Sequence, residues 1–132
     1  MKQTATATFV LDSFDHAPYD EAEGAVLGKA RITKTFSGEV EGRSVVEMLG
    51  CQNAAGPAAY VALERLAVRL HDRAGTFVLQ HWAGTGTDGK PGMHLTVVPG
   101  TGTGELTGIT GNAAIRVADG VHTIEIEYAV GE

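Results

Sequence analysis

The sequence predicts an all-β chain of about eight strands whose curved sheet closes into a single small barrel. Three observations carry this: apolar residues alternate with polar ones through most of the chain, turn-forming residues separate the alternating runs, and glycines cluster where a sheet must bend. The stretch Val97–Gly111, VVPGTGTGELTGITG, holds five of the 18 glycines. Gly100, Gly102 and Gly104 alternate with Thr101 and Thr103, so as a strand it would lack side chains on one face. That is how a strand bends sharply or lets another backbone approach. Closing a small barrel needs such corners.

Taken in order, Thr4–Leu11 places Ala5, Ala7, Phe9 and Leu11 on one face, as a half-buried strand does. Asp12–Glu23 is acidic and contains Pro18, which predicts a solvated loop over one barrel mouth; its carboxylates lack the spacing and glycine of a calcium loop. Ala25–Phe36 and Val40–Leu49, joined through Ser37-Gly38-Glu39, form a hairpin. Cys51 reads as a small buried residue, since no base or cation adjoins it.

Ala58–Arg73 supports two readings. Tyr60, Leu63, Leu66, Ala67 and Leu70 recur at helical spacing after Pro57, whereas Tyr60, Ala62, Glu64, Leu66, Val68 and Leu70 alternate as in a strand. The strand is preferred, because an Asp72–Gly75 turn then leads into the β-rich Thr76–Ala83. Gly84–Gly92 is turn-forming throughout and predicts an exposed, mobile loop, and Met93–Val98 returns to strand. Ala113–Val117 and Val121–Val130 flank Ala118-Asp119-Gly120, a strong hairpin signal. In the last strand Ile124, Ile126 and Tyr128 form the apolar side.

At 132 residues and 43% hydrophobic content the chain suits one domain with one core. Ten basic against 16 acidic residues give a net charge of -6, which argues against nucleic acid and anionic membrane surfaces as partners. One cysteine, no apolar run of signal-peptide length and no stretch of about eighteen apolar residues predict a soluble protein in the reducing cytoplasm.

The glycine-rich stretch, with Phe36-Ser37-Gly38-Glu39-Val40-Glu41-Gly42, Tyr60-Val61-Ala62-Leu63-Glu64-Arg65 and Gly75-Thr76-Phe77-Val78-Leu79-Gln80-His81, resembles the DUF3224 family of small bacterial proteins. The similarity runs over nearly the whole chain. It implies a closed antiparallel barrel similar to the calycin-like barrels of allene oxide cyclase and dirigent proteins, around an apolar cavity. The family has no assigned reaction, so the resemblance leaves function open. It also supports a strand over 58–73.

Chemistry depends on which polar residues point inward. If Leu70 opposes Phe77, one face carries Tyr60, Ala62, Glu64, Leu66, Val68, Phe77, Leu79 and His81, with Leu66 opposite His81 and Glu64 diagonal to it. Glu64 and His81 then share an apolar wall as a pair suited to proton transfer, with Tyr60 as a hydroxyl donor; Ala62, Leu66, Val68, Phe77 and Leu79 line the ligand space. The competing reading is a structural pair satisfying itself in the core. The five histidines include no H-x-H or H-E-x-x-H spacing, so no metal site is expected, although His81, His94 and Glu64 could meet in space. No cofactor is expected: Glu105 breaks a dinucleotide fingerprint, and Pro91 follows Gly89-Lys90 where a P-loop needs Ser or Thr. Ser13, Ser37 and Ser44 lie in no nucleophile elbow.

The leading expectation is a barrel that holds a hydrophobic small molecule. A cofactor-independent isomerase or cyclase, as likeness to allene oxide cyclase implies, and a structural protein with a filled barrel are the alternatives. A homodimer is also expected, because Val61, Leu63 and Trp82 fall on the outer face beside Arg65, Arg69 and Gln80.

Overall fold

A computed structural model describes residues 2–131. Its strands are β1 (Gln3–Ala22), β2 (Ala25–Gly38), β3 (Val40–Asn53), β4 (Gly56–Leu70), β5 (Arg73–Thr85), β6 (Pro91–Val97), β7 (Ile109–Ala118) and β8 (Val121–Val130). Each pairs antiparallel with the next, and β1 pairs with β8 to close the barrel. The strand reading of 58–73 holds as far as Leu70, where β4 ends: pairing with β3 on one side and β5 on the other overrides the local helical propensity.

Three expectations are corrected. Asp12–Glu23 is not a loop, because β1 runs on to Ala22 and turns through Glu23 and Gly24 into β2. Register shifts at Leu11/Ser13 and Pro18/Asp20 break the alternation that would have marked it as strand, and they leave Leu11 41% exposed. This half of β1 extends past its last pair with β8, Phe9 with His122, where proline and acidic side chains suit an unpaired edge.

The β4–β5 register is also tighter than expected. The turn is His71-Asp72, with His71 at φ +53°, so Leu66 faces Phe77 and Ala62 faces His81. The slip from the expected pairing is an even number of residues, which leaves every side chain on its predicted face. Gly75 therefore lies inside β5 rather than in the turn.

The glycine run is not a bent strand. After β6 ends at Val97, the chain crosses the barrel end as coil with a single 3-10 turn, Gly104–Leu106, before β7 starts. Thr103 N–H donates to the Thr76 carbonyl, and Leu106 seals the end, fully buried. Close backbone approach is what Gly102 serves, since a Cβ there would stand 2.0 Å from the Leu106 carbonyl oxygen, and on the β5 side a Cβ on Gly75 would stand 2.0 Å from the Thr103 carbonyl oxygen.

That end of the barrel is filled. Phe36, Leu66, Leu70, Phe77, Leu79, Ile124 and Ile126 pack there with Ala5, Ala7 and Phe9. Towards the other end, β1 has left β8, and β6 and β7 share only the pairs Leu95–Ala113 and Thr96–Asn112. The wall there is built mainly from β2 to β5, around a smaller cluster of Ala30, Ile32, Val46 and Ala62. The loop at 86–90 is exposed at this open end, folded on the bond from Gly86 N–H to the Lys90 carbonyl.

Candidate functional site

Between the filled and open halves lies a layer of buried polar side chains. Alternation on four consecutive strands turns them inward: Lys34 from β2, Ser44 from β3, Glu64 from β4 and His81 from β5. Lys34 pairs directly with Ser44, while Glu64 is diagonal to Ser44 on one side and to His81 on the other. Diagonal neighbours of this kind are within reach of long side chains.

Glu64 is the hub. His81 Nε2 donates to Oε1 at 2.7 Å, and Ser44 Oγ donates to Oε2 at 2.5 Å. Lys34 Nζ stands 3.4 Å from each oxygen and 4.6 Å above the centre of the Phe9 ring. Burial alone would favour the neutral acid. The hydrogen bond from His81, the Lys34 charge and the Ser44 hydroxyl outweigh it and hold the carboxyl below its ordinary value. Among the described residues no buried side-chain polar atom lacks a partner, as a polar layer in a core requires.

Tyr60 completes the arrangement on the open side, with its hydroxyl 3.5 Å from His81 Nδ1. Burial, with the Glu64 charge adding to it, raises the phenol above its ordinary value. Tyr60 therefore keeps its proton at neutral pH and acts as a donor.

The open half encloses a cavity of about 690 Å³. Lys34, Tyr60 and His81 reach its floor, Ile32, Val46, Met48 and Ala83 form its walls, and Phe14, His16, Cys51 and Met93 stand around its mouth. Glu64 has no exposed surface and lies behind His81. Of the residues expected to line the ligand space, Leu66, Val68, Phe77 and Leu79 belong to the filled half, and Ala62 packs with Met48 and Tyr60. His94 points outward and stacks on Trp82 at 4.1 Å, so it does not join His81 and Glu64.

Lys34 and Ser44 are the residues that sequence reading missed. The signal was present in Ala30, Ile32, Lys34 and Phe36, which share one face of β2, and in Val40, Ser44 and Val46 on β3. A lysine alternating with such residues must be carried inward with them.

The model of the family described as "Protein of unknown function (DUF3224)" matches residues 5–128. The chain belongs to the DUF3224 family. A crystal structure of a DUF3224 protein of unknown function from Shewanella oneidensis MR-1 is similar over 100% of both chains, at 36% identity and a TM-score of 0.83. No curated protein matches the chain. Among the described residues, no helix is long and apolar enough to cross a membrane.

Proposed function

We propose that this DUF3224 protein binds a hydrophobic small molecule in the open half of its barrel. The observation that carries the reading is the half-filled interior: a cavity of about 690 Å³ with predominantly apolar walls above three polar groups on its floor. Ligand sites commonly combine this size with few, fixed polar groups. A filled barrel, as a purely structural protein would have, fits only the closed end. The chain Tyr60–His81–Glu64 favours a second reading, a cofactor-independent isomerase or cyclase acting on a hydrophobic substrate in the same cavity.

Native mass spectrometry of protein purified from its own host should find a co-purifying apolar molecule, and the emptied protein should bind the neutral dye Nile red. Failure of both would overturn the reading. A reducing, cytoplasmic setting fits the single cysteine. Self-association as a homodimer fits the outer face of β3 to β5, where Leu49 pairs with Val61 and Val61 with Trp82, all at least half exposed. Sedimentation at micromolar concentration should therefore show a dimer, and a monomer alone would refute it.

A further inference from the structure

We propose that the cavity floor enolises a neutral, apolar ketone, with His81 Nδ1 as the base, the Tyr60 hydroxyl as the donor to the carbonyl oxygen, and Glu64 as the positioning residue behind His81. The inference rests on the reading that the cavity takes a hydrophobic molecule, and it names the class of that molecule and what happens to it.

The assignment follows from which atoms are committed and which are free. Both oxygens of Glu64 are taken up by His81, Ser44 and Lys34, and the residue has no surface in the cavity. Its effect reaches a ligand only through His81. By accepting the Nε2 proton at 2.7 Å, the carboxylate leaves Nδ1 as the ring's lone-pair nitrogen and stabilises the imidazolium that forms if Nδ1 takes up a proton. The Tyr60 hydroxyl lies 3.5 Å from that nitrogen, long for a hydrogen bond, so it is free to turn towards a ligand. A donor and a base this close can bracket a carbonyl oxygen and its α-carbon, which are two bonds apart.

Charge selects a neutral substrate. Lys34 and Glu64 compensate each other, so a carboxylate ligand would bring a net charge into a largely apolar cavity. A ketone brings only an acceptor. In the reaction the α-C–H bond breaks, its proton goes to Nδ1, and its electron pair becomes the carbon–carbon double bond of the enolate. The negative charge moves to oxygen, where Tyr60 donates to it. Delivery of a solvent-derived deuteron from Nδ1 to the same carbon, after the abstracted proton has exchanged with water, labels that position, and delivery to the γ-carbon of a β,γ-enone gives the conjugated isomer. No oxidant, reductant or cofactor is needed.

The test is proton exchange in heavy water, using neutral ketones from 2-cyclohexylcyclohexanone up to steroid size, with binding measured on the same samples by saturation-transfer NMR. Wild-type protein should exchange the α-protons of at least one bound ketone well above the rate with free imidazole. Tyr60→Phe, which removes only a hydroxyl at the cavity surface, should keep binding and lose about a hundredfold in exchange. His81→Gln should fall towards background. The ¹⁵N spectrum should show His81 as the Nε2–H tautomer, and Glu64→Gln should mix the two tautomers. Ketones that bind without exchange, or exchange unaffected by Tyr60→Phe, would overturn the relay and leave ligand binding standing. Nile red bound but no ketone bound would overturn the substrate class, and neither bound would overturn both readings.

Discussion

Lys34 and Glu64 meet across the barrel floor from β2 and β4, the ammonium 3.4 Å from both carboxylate oxygens and the two residues 5% and 0% exposed. Removing one partner leaves the other as a buried, uncompensated charge, so Glu64→Gln and Lys34→Met should each cost about 3 kcal/mol of stability. The double substitution removes both charges at once. It should cost less than the sum of the singles by on the order of 2 kcal/mol, read from urea midpoints. Additive losses would mean that the pair does not act as a unit.

The same cluster sets a pH dependence whose sign follows from the depressed Glu64 carboxyl. As pH falls, the unfolded chain takes up this proton first, near the ordinary glutamate value of about 4.3. The stabilisation from an ionised Glu64 is therefore complete above that value and is lost as pH falls through the lower folded value. Urea midpoints of wild-type protein should drop steeply over this acid range. The Lys34→Met/Glu64→Gln double variant should show a shallower drop, and identical profiles would refute the assignment.

The facing of Glu64 and His81 was legible from alternation on β4 and β5, and it survives the register slip because the slip is even. Which half of the barrel is open was not legible. It depends on where β8 stops pairing with β1, at His122 and Phe9, and on β6 and β7 sharing two pairs, which are long-range facts that no local pattern encodes. That is why Leu66, Val68, Phe77 and Leu79 read as cavity lining although they fill the closed half. In β1, two bulges erased the period-two signal. In the glycine run the spacing matched a strand, yet Gly102 and Gly104 serve close backbone approach, as Gly75 of β5 does where it meets Thr103.

That contact can be tested directly. A methyl group on Gly75 would stand 2.0 Å from the Thr103 carbonyl oxygen, which is backbone and cannot turn away. Gly75→Ala should lower stability by about 3 kcal/mol through overpacking. At Gly92 a Cβ meets nothing within 4 Å and the backbone needs no left-handed conformation, so Gly92→Ala should be neutral to within about 0.5 kcal/mol. Equal thermal melting of the two variants would contradict the packing of the crossing segment on β5.

The division into a filled and an open half makes opposite predictions for two inward residues. Leu66 is fully buried in the closed cluster, so Leu66→Ala should cost about 3 kcal/mol from lost burial and a residual void, and should leave Nile red affinity unchanged. Ala83 faces Tyr60 across the β4–β5 ladder on the cavity wall, where added volume projects into empty space. Ala83→Phe should keep the melting temperature within a few degrees, because no packed neighbour must move, and should weaken the dye at least about tenfold by occupying its space. Calorimetry and dye titration on both variants separate the two effects. Undiminished dye binding by Ala83→Phe would show that the dye sits elsewhere, and weakened binding by Leu66→Ala at a temperature where the variant is fully folded would show that the closed half takes part in the site.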